Sequence, residues 1–130
     1  MKILVGYDGS NSAKDALKLT RDHAKYLDAS IEVVTSMVKA NENQYEAVRQ
    51  AERGLEYTKA LIAEEGIECD THLLIRGFSP GEDLVQFAEE NRVDEIFVGV
   101  RRRSKVGKVL MGSTAQHVVL NASCPVVTVK

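Results

Sequence analysis

Five short runs of β-branched and apolar residues recur along the chain, and helical patterns fill the gaps between them. The runs are KILVGY (2–7), IEVVTSMV (31–38), CDTHLLI (69–75), DEIFVGV (94–100) and PVVTVK (125–130). Parallel strands cannot be joined by tight turns and need a crossover, usually a helix. Regular alternation of the two therefore predicts an α/β fold: an open five-stranded parallel sheet with helices on both faces. The unbroken apolar stretch Ile96-Phe97-Val98 fits a strand covered on both sides. No linker, repeat or low-complexity segment interrupts the pattern, so residues 1–130 are expected to form one domain.

Each helical stretch carries its own start or stop signal. Ser10 or Ser12 can cap the first, whose apolar positions Ala13, Ala16, Leu17, Ala24 and Leu27 share a face. The second is expected from about Asn41 to Glu65, stopped by Gly66, with Tyr45, Val48, Leu55, Leu61 and Ile62 as its core-facing stripe. The third begins Ser79-Pro80-Gly81-Glu82, a capping box with proline at the first helical position. In the fourth, Ser113 and Gln116 have the same capping spacing.

Composition removes several function classes. The net charge is −2, whereas a polyanion-binding protein expects a broad positive footprint. The basic triplet 101–103 has no interleaved aromatics, so nucleic acid is not an expected partner. No apolar run is long enough to span a bilayer, and the N-terminus turns too soon for a signal peptide, which makes the cytoplasm the expected compartment. Cys69 and Cys124 are far apart and outside any CxxC pattern, so they are expected as reduced, inert thiols. His23, His72 and His117 lack ligand spacing and no metal site is expected; His117 should be exposed or satisfied locally.

In an open α/β sheet, ligands bind beyond the C-terminal ends of the strands, where strand order reverses. Asp8 follows the first strand and Gly99 the fourth. The stretch GVRRRSKVGKVLMGST (99–114) carries three glycines and five basic residues ahead of a helix start. A helix N-terminus with free N–H groups and two hydroxyls favours a phosphate, and Arg101, Arg102, Arg103, Lys105 and Lys108 add positive charge. A Walker A loop is excluded, since it needs Gly at 102 and Ser or Thr at 109. A Rossmann G-x-G-x-x-G is absent after the first strand. A solvated basic loop ahead of an ordinarily capped helix fits the same residues, just as Asp8 fits an Asx-turn.

The loop resembles the nucleotide loop of the universal stress protein family: Gly, two residues, Gly, nine residues, then Gly with Ser or Thr. Gly99, Gly112 and Ser113 stand in that frame. ILVGYDGS (3–10) resembles the family's first strand and acidic turn, RGFSPGEDLVQFA (76–88) the start of its third helix, and CPVVTV (124–129) its closing strand. The resemblance covers the whole chain and implies a Rossmann-like fold, usually dimeric, whose nucleotide-binding members hold ATP or AMP. It implies that Asp8 meets the ribose, the main chain at Met37 the adenine, and Gly99, Gly112, Ser113 and Thr114 the phosphates, with Mg²⁺ accompanying ATP. Arg101 and Arg102 lie in the same loop. The frame departs at Arg102, where the binding pattern has its second glycine. A left-handed backbone there would cost about 1–2 kcal/mol, while a guanidinium gripping a phosphate returns about 1.5–3 kcal/mol.

Two functions follow. One is an adenine-nucleotide-binding protein of stress response or regulation, hydrolysing ATP slowly if at all, because no base beyond Asp8 and no nucleophile arrangement is present. The other is a dimeric interaction module of the same fold without a nucleotide. The final strand, 125–129, starts at Pro125 and suits a sheet edge, so pairing with a second copy is expected.

Overall fold

Successive buried residues along the strands point to opposite faces of the sheet and divide the interior into two cores. Ile3, Val5, Val33 and Phe97 face one side, where they meet Ala16, Leu17, Ala24, Leu55 and Ile62. Leu4, Val34, Ile96 and Val98 face the other, against Leu84, Phe87, Ala88, Ala115 and Val118. The computed structural model describes residues 1–39, 44–103, 107 and 109–130. Its elements are β1 (Lys2–Gly6), α1 (Asn11–Leu27), β2 (Ser30–Ser36), α2 (Tyr45–Glu64), β3 (Cys69–Leu74), α3 (Pro80–Glu90), β4 (Glu95–Gly99), β5 (Arg101–Arg103), β6 (Val109–Met111), α4 (Ser113–Asn121) and β7 (Val126–Val129). Helices α1 and α2 thus cover one face and α3 and α4 the other. No helix among the described residues is long and apolar enough to cross a membrane.

The five-stranded sheet runs β3-β2-β1-β4-β7, and every pairing is parallel. From β1 the chain winds outward to β3, returns past β1 to β4, and finishes at β7. Strand order therefore reverses between β1 and β4, the two strands followed by Asp8 and ended by Gly99. The expected sheet, including Pro125 just ahead of an edge strand, is what the chain forms.

Local signals decide most of the helix ends. Ser10, not Ser12, caps α1 and accepts from the Ala13 N–H at 3.2 Å. The Ser79 capping box is complete, with Glu82 reaching back. The Ser79 hydroxyl and N–H hold the Glu82 carboxyl below the usual range. Gly66 takes the left-handed conformation (φ 76°) just after α2.

Four expectations need correction. Leu27 is 42 % exposed, because α1 ends there and the chain turns toward β2. Tyr45 is 61 % exposed; α2 buries Leu55, Thr58 and Ile62 against the sheet and leaves its first turns beyond it. The expected start at Asn41 lies outside the described residues. The cap of α4 is Gly112, not Ser113: Gly112 is extended (φ −69°, ψ 161°) and no side-chain cap is made among the described residues. The chain leaves β6 already extended, so the helix begins one residue early and Gln116 N donates to Gly112 O at 3.0 Å. Lastly, the stretch read as a loop contains a two-stranded antiparallel ladder, β5 against β6.

Ties between elements complete the frame. Arg21 binds the Glu65 carboxylate from Nε at 3.0 Å and also through Nη2, while Lys25 Nζ lies 3.4 Å away. These cations hold the Glu65 carboxyl below its ordinary range. Both cysteines are free thiols. Burial pushes Cys69 up to about 11 and raises Cys124 as well, as expected of inert cysteines.

Candidate functional site

The site grows from the turn after β1. Tyr7 N–H still donates to Val34 O at 2.9 Å, so β1 stays tied to β2 up to this point. Asp8 then accepts the Ser10 N–H on Oδ1 at 2.9 Å, forming an Asx-turn through Gly9, whose φ of 81° suits glycine. Ser10 immediately caps α1. The turn fixes an exposed carboxylate at the start of a helix, so the structural role expected of Asp8 is present and leaves the residue facing outward.

Among the described residues, three hollows adjoin Asp8. A central one of about 120 Å³ lies between the ends of β1 and β4, walled by Val34, Leu84 and Val98 with Pro80 and Thr114 at its margin. A wide one of about 530 Å³ lies toward α2, bounded by Lys14, Met37 and the small residues Ala47, Ala51 and Gly54. The third, of about 290 Å³, faces the start of α4 and is lined by Gly112, Ser113 and Thr114 together with Ser12 and Gly99. Asp8 borders all three and is the only carboxylate among their described lining residues.

The electrostatics come from backbone ends. The first turns of α1 and α4 border the same hollow, and each helix start carries partial positive charge and unpaired N–H groups. At α1 Ser10 satisfies one donor. At α4 no side-chain cap is made among the described residues, so its first N–H groups can meet an anion. Gly99 packs directly against the first turn of α1. A Cβ there would lie 2.5 Å from Ser12 O and 2.6 Å from Ser12 C. The resemblance set Gly99 at the phosphates; close packing of β4 on α1 gives its glycine a structural reason of its own.

The chain matches the Universal stress protein family over residues 1–130. It belongs to that family. A relative from Thermus aquaticus is 32 % identical over 134 residues, with 98 % of this chain and 97 % of the relative covered. A solved universal stress protein from Archaeoglobus fulgidus is 34 % identical with a TM-score of 0.89, covering 100 % of this chain and 98 % of that one. A second solved structure from Archaeoglobus fulgidus, in complex with dAMP, is 30 % identical with a TM-score of 0.81 and the same coverage.

On this universal stress protein, the eight residues singled out from sequence fall into two groups. Asp8, Gly99, Gly112, Ser113 and Thr114 surround one hollow, and Met37 borders the wide one next to it. Met37 N–H is committed to Leu74 O at 2.9 Å, so this N–H is not the main-chain group that a ligand would meet. Arg101 and Arg102 stand in β5, paired with Met111 and Leu110; their side chains, with Lys105 and Lys108, lie outside the described part. A strand backbone is extended, so the left-handed strain considered for Arg102 does not arise.

Sequence reasoning missed Ser36, Lys14 and the small face of α2. Gly54 carried a signal, since a glycine inside a helix costs about 1 kcal/mol relative to alanine and invites a reason. Ala47, Ala51 and Gly54 recur at helical spacing, and all three border the wide hollow. Ser36 has no local signature, because its partner is 47 residues away.

Proposed function

We propose that this universal stress protein binds an adenine nucleotide in the crevice around Asp8. The carrying observation is the meeting of the α1 start and the uncapped α4 start at one hollow, beside a carboxylate and next to an apolar slot. In this reading the phosphates sit on the N–H groups of Gly112, Ser113 and Thr114, close to Gly99. Asp8 accepts from the ribose hydroxyls, and the main chain at Met37 borders the base. Arg101 and Arg102 add charge from β5. The Archaeoglobus fulgidus relative in complex with dAMP supports the same nucleotide class. With ATP, Mg²⁺ would be held chiefly by the triphosphate, since Asp8 is the single carboxylate among the described lining. That is too little machinery for fast hydrolysis, so the reading is a regulatory nucleotide-binding protein of stress response.

Isothermal titration of nucleotide-free protein with AMP, and with ATP and Mg²⁺, tests this. Dissociation constants of about 1–100 μM are expected, weakened about tenfold or more by Asp8→Ala. Folded protein showing no heat with either nucleotide at millimolar concentration overturns the reading.

A homodimer through β7 belongs to the same proposal. The strand forms the outer edge beside β4, and its three valines are half-buried while Thr128 is exposed. An unpaired edge of this composition is a template for a second copy. Light scattering on a size-exclusion column should give twice the chain mass at micromolar concentration; a monomer there removes the dimer.

A further inference from the structure

Ser36 ends β2 and borders both the central and the wide hollow. Its hydroxyl donates to Asp83 Oδ2. Asp83 lies in the first turn of α3 and is fully buried. Its other oxygen accepts from Arg76 Nε at 2.9 Å and Nη2 at 2.8 Å. Arg76 Nη1 also lies 3.5 Å from Glu90, which holds the guanidinium in place. A serine hydroxyl has one proton and two acceptor sites. Here the proton is committed to a buried carboxylate that can only accept. What Ser36 offers the crevice is therefore an oxygen with no proton to give.

We infer that Ser36 is a specificity-determining residue, and that its acceptor-only hydroxyl selects a base carrying an amino group over one carrying a carbonyl at the same position. The inference rests on the purine-nucleotide reading of the crevice. Val34, Leu84 and Val98 make the central hollow an apolar slot suited to a flat ring, and Ser36 is the polar side chain that β2 adds to it. An adenine amino group facing Ser36 gains a hydrogen bond. A 6-oxo purine brings two acceptors face to face, and neither finds a donor in the other. Sites built around one fixed hydrogen-bonding group discriminate in this way, by penalising the wrong partner.

The test compares AMP with inosine 5′-monophosphate, which keeps the sugar and phosphate and exchanges the amino group for a carbonyl. The intact protein should bind AMP about tenfold more tightly or better. Ser36→Ala should bring the two affinities within about threefold, and Ser36→Thr, which retains the hydroxyl, should keep the preference. If Ser36 only braces β2 against α3, Ser36→Ala weakens both nucleotides alike and the ratio stays, which overturns the inference while leaving nucleotide binding intact. Equal affinities in the intact protein also overturn it. Binding of neither nucleotide by folded intact protein overturns the underlying reading, and this one with it.

Discussion

Gly99→Ala is expected to lower the thermal midpoint by roughly 10 °C and to weaken AMP binding more than tenfold. The added Cβ would lie 2.5 Å from Ser12 O and 2.8 Å from Ser12 Cβ, distances that no rotamer change can relieve because the nearest atoms are backbone. Gly99 is fixed on its other side by its pairing with Val129 of β7. Relief must come from moving the first turn of α1 away from β4. Overpacking of this kind costs about 1–3 kcal/mol and sometimes more, and a loss of ~3 kcal/mol corresponds to about 10 °C for a domain of this size. The same movement parts the two helix starts that meet beside Asp8, so stability and affinity fall together. Gly54→Ala is the control: a Cβ there meets nothing within 4 Å, and the thermal midpoint should hold or rise. A Gly99→Ala protein with an unchanged midpoint would show that the packing is looser than these distances state.

Arg76→Met should cost ~3 kcal/mol in urea unfolding, and adding Asp83→Asn should recover a substantial part of it. The reason is unequal burial across one ion pair. The Arg76 side chain keeps 31 % of its surface exposed while that of Asp83 has none. Removing the arginine strands a carboxylate whose remaining side-chain partner among the described residues is the Ser36 hydroxyl, and breaking a buried pair from one side costs about 3–5 kcal/mol. The lower end applies because the arginine is partly solvated. Neutralising residue 83 removes the stranded charge, so the double variant should be more stable than Arg76→Met alone. A double variant no better than the single one would mean that Arg76 acts through packing of its stem rather than through charge.

Much of the frame was legible because its determinants are local. Ser79, Pro80 and Glu82 spell a helix start within four residues, and Gly66 marks a stop. The order of strands and helices reads from period alone, and it puts Asp8 and Gly99 at strand ends, while the pairing of β1 with β4 that brings them together is seen only in the structure. The remainder depended on long-range partners. The reason for Gly99 lies in Ser12, across the α1–β4 contact. Ser36 acquires its meaning from Asp83, a carboxylate that looks from sequence like an ordinary acid in a first helical turn. The β5–β6 ladder was hidden because Arg101, Arg102 and Arg103 lack the apolar alternation that announces a strand, and the pairing itself organises them. At α4 the serine motif pointed to the right turn of helix and the wrong residue, since cap position is decided by where the extended chain from β6 stops.

The uncapped start of α4 sets a limit on how this protein can be improved. A side chain at 112 able to accept from the first turn would stabilise the helix by about 1 kcal/mol, yet it would occupy the same N–H donors that face the crevice. One set of donors cannot serve a permanent internal partner and a transient external one. If the crevice holds a nucleotide as proposed, selection for thermal hardiness and selection for responsiveness pull residue 112 in opposite directions, and glycine there favours responsiveness.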